Sequence, residues 1–108
     1  MSEARARRAL GLLGLARRGG RVRLGRDDAL RTLRSGRARA VVLAADAGAD
    51  LRRALDREMR TAGSDVTMLV IDAKKTELGR ALGRESLGVA VLTDEGLSNE
   101  VRRIARGS

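Results

Sequence analysis

Two pairs of adjacent carboxylates, Asp27-Asp28 and Asp94-Glu95, are the side chains in this sequence whose type and spacing could do chemistry. Neighbouring carboxylates can hold Mg²⁺, divide acid and base roles between them, or accept hydrogen bonds from a ligand. The groups that most often complete a catalytic site are missing, because the chain has neither Cys nor His. Their absence removes disulfides, thiolate chemistry, zinc-thiolate sites, most zinc ligands and the commonest general base. No GxxxxGK[ST] phosphate loop or dinucleotide fingerprint occurs, and Gly79-Arg80-Ala81-Leu82-Gly83 ends a helical pattern instead of opening one. With no recognisable set of nucleophile, base and orienting group, an enzyme is the least favoured class, and neither catalytic residues, metal nor cofactor are expected.

The two acidic pairs differ in their surroundings. Asp94-Glu95 stands between an apolar run and an amphipathic helix, where a carboxylate satisfies free backbone N–H groups and the helix dipole. Asp27-Asp28 also opens a helix, but it lies inside the most basic stretch, among Arg21, Arg23, Arg26 and Arg31. A surface that held only phosphates would gain nothing from negative charge there. Acids in a basic face can accept from base N–H groups, the readout available to Asp and Glu. The alternative is a capped helix with local ion pairs.

Charge points to the same stretch. Residues 1–39 carry twelve arginines against Glu3, Asp27 and Asp28, which accounts for the whole net charge of +9. The remaining residues, 40–108, balance 11 basic against 11 acidic groups. A directional positive field attracts polyanions, so nucleic acid is the first partner to consider. A solvated arginine-rich surface typical of a GC-rich or heat-adapted proteome is the competing explanation. Phe, Trp and Tyr are all absent, which argues against modules that grip single strands by stacking. No apolar run approaches the ~20 residues of a spanning helix. The Leu-rich N-terminal stretch is interrupted by Gly11, Gly14, Arg17 and Arg18, unlike a secretory signal. A cytoplasmic protein without a membrane partner is expected.

The elements that must position these residues follow from periodicity. After Ser2, a plausible N-cap, Ala6, Ala9, Leu10, Leu13 and Ala16 form a helical stripe that Gly19-Gly20 ends. A short extended piece at residues 21–24 precedes Gly25, and a helix starting at Asp27-Asp28 turns Ala29, Leu30 and Leu33 inward, with Gly36 as its C-cap. Three apolar runs follow, at residues 40–45, 66–71 and 89–92, each trailed by an acidic cap at Asp46, Asp72 or Asp94 and then by an amphipathic helix. The inward faces of those helices are Leu51, Ala54, Leu55, Met59 and Ala62, then Leu78, Ala81 and Leu82, then Leu97, Val101, Ile104 and Ala105. Uninterrupted apolar runs belong to strands covered on both faces. Strands alternating with helices make an α/β fold, an α/β/α three-layer sandwich, and the length suits one domain spanning residues 1–108. Gly11-Leu12-Leu13-Gly14 has the letters of a GxxG nucleic-acid clamp, but two leucines between the glycines imply burial and helix packing.

The segment Gly25-Arg26-Asp27-Asp28-Ala29-Leu30-Arg31 resembles the G-x-N-E-x-x-K segment of the ribosomal protein L-seven-Ae and L-thirty-e superfamily, whose members bind kink-turn RNA. Residues 11–21 are similar to the GLAxRAGK opening of its bacterial YlxQ-like branch. Ser35-Gly36-Arg37-Ala38, Ala44-Ala45-Asp46-Ala47, Leu78–Glu85 and Val89–Gly96 extend the ordered match over about residues 9–105. The resemblance implies a four-stranded mixed sheet with its first strand at residues 21–24, and RNA binding without catalysis. By position it implies that Gly25 allows close backbone approach, Asp27 and Asp28 face guanine edges, and Arg31 binds phosphate, with Arg21, Arg26 and Arg34 as basic neighbours. Arg84, Glu85, Ser86 and Leu87 would cover bulged nucleotides, Leu87 being the apolar candidate. Asp27 stands where the family has Asn and so lacks an amide donor, while Asp28 replaces Glu and Arg31 replaces Lys.

The expected function is non-catalytic binding of structured RNA, a kink-turn or ribosomal RNA, in a ribonucleoprotein or ribosome that includes other proteins. One alternative keeps the fold and binds ribosomal RNA through charge and shape alone. Another makes the chain a protein-binding adaptor.

Overall fold

A computed structural model describes residues 2–62 and 66–107 of the chain. Among the described residues nine elements alternate: α1 (Glu3–Arg18), β1 (Val22–Leu24), α2 (Arg26–Arg34), β2 (Ala40–Ala44), α3 (Ala49–Ala62), β3 (Thr67–Ile71), α4 (Lys75–Ala81), β4 (Val89–Leu92) and α5 (Glu95–Arg106). The strands form one mixed sheet in the order β1-β4-β2-β3. β2 and β3 run parallel, while β4 runs antiparallel to β1 and β2 on either side of it.

Side-chain alternation in the central strand builds both layers of the core. Val42 and Ala44 belong to a cluster with Leu13, Leu78, Leu82 and Val101 from α1, α4 and α5. Val41 and Leu43 belong to another with Ala29, Leu33 and Leu55 from α2 and α3. β2 and β4 are buried at every position, as their unbroken apolar runs require. The α/β/α sandwich is thus the one expected.

β3 departs from that expectation. It is the last strand of the sheet, paired only with β2, and Val70 is 44% exposed. Its apolar run therefore covers one face fully and the other in part. An uninterrupted run cannot by itself distinguish a central strand from an edge strand.

Caps explain where the helices begin. The Ser2 hydroxyl accepts from the Arg5 N–H at 3.2 Å, and the Asp94 carboxylate accepts from the Leu97 N–H at 2.8 Å. Asp46 does not cap the helix that follows it. Its carboxylate accepts from the Lys75 N–H at 2.7 Å, at the start of α4. The parallel pairing of Ala44 with Ile71 brings the β2 and β3 exits side by side, and the Ala45 N–H donates to the Ala73 carbonyl at 2.9 Å across the same gap. Asp72 is not the cap of α4 either; that position is Lys74, whose N–H donates to the Glu77 carboxylate at 2.9 Å.

α2 ends in a Schellman arrangement. The Gly36 N–H donates to Leu33 and the Arg37 N–H to Thr32, with Ser35 as the capping residue and Gly36 just beyond it at φ +76°. In α1, packing reaches Gly14, where an added Cβ would stand 3.5 Å from the Ala81 carbonyl oxygen, but nothing approaches Gly11.

Candidate nucleic-acid interface

Gly25 joins β1 to α2 with φ +89° and ψ 169°, a region in which an L side chain is strained. Its N–H donates to the Val89 carbonyl at 3.1 Å, and its own carbonyl accepts the first helical hydrogen bond, from Ala29, at 2.9 Å. Nothing lies within 4 Å of where a Cβ would sit. The glycine is therefore required by conformation, and the space beside it is open to a ligand. α2 begins one residue before the expected Asp27, at Arg26, and no side chain caps it. Its first-turn N–H groups thus stand beside two carboxylates at an exposed helix N-terminus.

Those carboxylates are not equivalent. Asp28 is partly buried and pairs with the Arg31 guanidinium one turn on, while its carbonyl accepts from the Thr32 hydroxyl at 2.6 Å. Asp27 is exposed and lines a shallow depression of about 370 Å³ together with Arg26, Leu30, Arg31 and Arg34. Arg34 is held from the far side by Glu58 of α3, at 2.7 Å. Arg31 and Arg34 are each paired with an acid, Asp28 and Glu58, so Asp27 is the carboxylate of this depression that projects free beside Arg26.

The segment after α4 arrives at the same end of the sheet. Gly83, at φ +76°, turns the chain back so that the Arg84 N–H donates to the Gly79 carbonyl at 2.7 Å and the Leu87 N–H to the Lys75 carbonyl at 3.0 Å. A Cβ on Gly79 would meet the Arg84 carbonyl oxygen and the Ser86 backbone at 2.9 Å, so the returning segment lies directly on a glycine. Arg84, Glu85 and Ser86 are exposed. Gly88 then accepts from the Ala44 N–H at 2.9 Å, and Val89 takes the bond from Gly25. Gly25–Arg31 and Arg84–Ser86 thereby converge across the entry to β4.

Two of the expected residues lie elsewhere. Leu87 is 5% exposed and packs in the core with Leu78 and Leu82, because its N–H anchors it under α4. Its side chain is not on the surface that Arg84–Ser86 present. Arg21 sits at the opposite end of β1, where its guanidinium pairs with Asp94 at 3.3 Å. Four residues of extended chain, roughly 13 Å, separate it from Gly25. The seat for residues 84–86 on Gly79 was present in the sequence only as a glycine inside a helical pattern. A packing reason is the usual one for such a glycine.

A profile of the ribosomal protein L7Ae/L30e/S12e/Gadd45 family matches residues 7–101, a span that contains both converging segments. The chain belongs to this family. It is 31% identical over 94 residues to the RNA-binding protein YlxQ of Bacillus subtilis (strain 168), a match covering 83% of this chain and 87% of that one. A Bacillus halodurans protein of unknown function superposes with a TM-score of 0.80 at 26% identity, covering 91% of this chain and 96% of the other. The 15.5 kD RNA-binding protein of Giardia lamblia shares the fold at a TM-score of 0.74 and 24% identity, covering 98% of this chain and 88% of its own. Within the family frame, the Gly25 turn and the Gly79 seat are what this sequence uses to bring its two exposed segments to one end of the sheet. No helix of the described residues is long and apolar enough to cross a membrane.

Proposed function

We propose that this protein binds structured RNA, a kink-turn or a comparable element of ribosomal RNA, as a non-catalytic component of a ribonucleoprotein or ribosome. The observation that carries this reading is the pinned Gly25 turn, which sets the start of α2, with Asp27 and three arginines, at the end of the sheet where the exposed Arg84–Ser86 segment leads into β4. The RNA-binding name of the Bacillus subtilis relative supports it. Guanidiniums take phosphate oxygens, often through two parallel N–H donors, and fix the register of the protein on the RNA. The Asp27 carboxylate accepts from guanine N1–H and N2–H in a sheared G·A pair. Open first-turn N–H groups add donors for phosphate. Such recognition reads folded RNA by shape and polar contact, which suits a chain without aromatic side chains. It requires no metal or cofactor.

The test compares affinity for a kink-turn RNA with affinity for the same RNA after its G·A pairs are replaced by Watson–Crick pairs. The expected preference is about tenfold, or 1.4 kcal/mol, and Asp27→Ala abolishes it without changing the melting temperature. Log affinity falls with log salt at roughly 0.7–0.9 per phosphate contact, for at least three contacts. Equal, salt-sensitive binding of both RNAs would replace kink-turn reading by recognition of ribosomal RNA through charge and shape. Cellular complexes that survive high salt and nuclease would replace RNA by a protein partner.

A further inference from the structure

The opposite end of the sheet carries a second positive cleft. There β2 pairs through Ala40 with Thr67 of β3 and Leu92 of β4, whereas Gly25 lies beyond the other end, where Leu24 pairs with Ala90. The cleft encloses about 500 Å³ between Gly36, Ala38 and Arg39 before β2, Val66 and Thr67 entering β3, and Glu95, Arg102 and Arg106 of α5, with Leu33 beneath. That volume is in the range of small-ligand sites.

Its charges are positioned by one another. The Arg102 guanidinium, with its side chain only 13% exposed, donates to the Arg39 carbonyl at 3.0 Å and reaches Glu95 at 3.3 Å. The Arg39 guanidinium donates to the Gly36 carbonyl at 3.1 Å and reaches the other Glu95 oxygen at 3.4 Å. Both oxygens of Glu95 thus brace arginines that arrive from segments 63 residues apart. With Arg106, the cleft holds three guanidiniums to one carboxylate. Guanidiniums so fixed lose little entropy when they take a phosphate. The partly exposed Val66 gives the cleft an apolar edge that suits a ribose or base face, for which an inorganic anion has no use, while Leu33 and Ala38 are buried behind it.

We propose that this cleft binds the phosphates of a second RNA segment, so that one molecule joins two stretches of RNA from opposite ends of its sheet. The proposal rests on the preceding reading only for RNA as the partner, and it needs no kink-turn at the second site.

The experiment titrates the full chain at about 0.1 M salt with a labelled kink-turn RNA flanked by duplex, and in parallel with the same RNA after its G·A pairs are made Watson–Crick, and reads both stoichiometry and proximity of donor- and acceptor-labelled RNAs by energy transfer. Wild type is expected to take two RNAs and bring them together. Arg39→Gln with Arg106→Gln is expected to take one, with no transfer, while Asp27→Ala with Arg31→Gln loses the other and keeps the cleft. A charge-matched control, Arg53→Gln with Arg57→Gln on α3, is expected to behave as wild type. Thermal melts verify that each variant folds. One RNA per wild-type molecule, or equal loss in the control, would overturn the proposal. So would millimolar inorganic phosphate or a poly-glutamate peptide displacing the second RNA at the same charge concentration as an RNA oligonucleotide, since the cleft would then accept any anion. A failed kink-turn preference with two RNAs still bound would count against the first reading alone.

Discussion

The Gly25 N–H and the Val89 carbonyl, 3.1 Å apart, tie the β1–α2 turn to the strand that the Arg84–Ser86 segment enters. One hydrogen bond between residues 64 positions apart in the chain thus brings two exposed segments to one end of the sheet. It forms because Gly25 takes a backbone conformation closed to other residues.

Gly25→Ala is therefore expected to cost about 1–3 kcal/mol of stability through backbone strain alone, since no atom would clash with the new methyl group. Chemical denaturation measures that loss. A stability change below the error of the method would mean that the turn relaxes without cost.

Gly79→Ala acts by the opposite route. The methyl group would press on the backbone of Arg84 and Ser86 at 2.9 Å, so residues 84–86 must lift from α4. The expected cost is about 1–3 kcal/mol, with amide chemical-shift changes centred on Arg84–Leu87. Shifts confined to α4 would show that the helix moves instead.

Asp46→Ala is expected to destabilise by about 0.5–2 kcal/mol, the usual range for loss of a helix cap. Hydrogen exchange should locate the fraying at Lys75 and the start of α4, which receives the carboxylate, and not at Ala49 and the start of α3. Faster exchange in α3 would contradict the cross-connection.

Ser98 is fully buried in α5, and its hydroxyl has no hydrogen-bond partner among the described residues. A buried polar group left unpaired costs about 1–3 kcal/mol. Ser98→Ala removes that cost with almost no change of volume, so the melting temperature should rise. A fall would reveal a partner for the hydroxyl, such as an ordered water.

Much of this molecule was legible in one dimension. The α1 stripe was readable because Ser2 and Gly19-Gly20 bracket a clean helical period, and β2 and β4 because long apolar runs have few other uses. The Gly25–Arg31 turn was legible because two acids stand inside the most basic stretch and because its letters resemble the family's G-x-N-E-x-x-K segment. What escaped depended on contacts between distant segments. Asp46 reads as the cap of its own helix until parallel pairing sets Lys75 beside it. Leu87 reads as an apolar contact surface until the chain reversal at Gly83 turns it under α4. The Arg39–Glu95–Arg102 arrangement escaped as well, since α5 belongs to the charge-balanced part of the chain.

The exposed margin at β3 bears on how the protein keeps apart from its own copies. Thr67-Met68-Leu69-Val70-Ile71 contains no Lys, Arg or Pro, the residues that usually blunt an edge strand against strand addition. The feature left to oppose edge-to-edge stacking is the mutual repulsion of bodies carrying +9 each. Such repulsion has a range that salt dictates, about 10 Å at 0.1 M and about 3 Å at 1 M. Self-association through β3 is thus expected to rise with salt, and a polyanion that neutralised the charge would have to keep β3 margins apart by its own bulk.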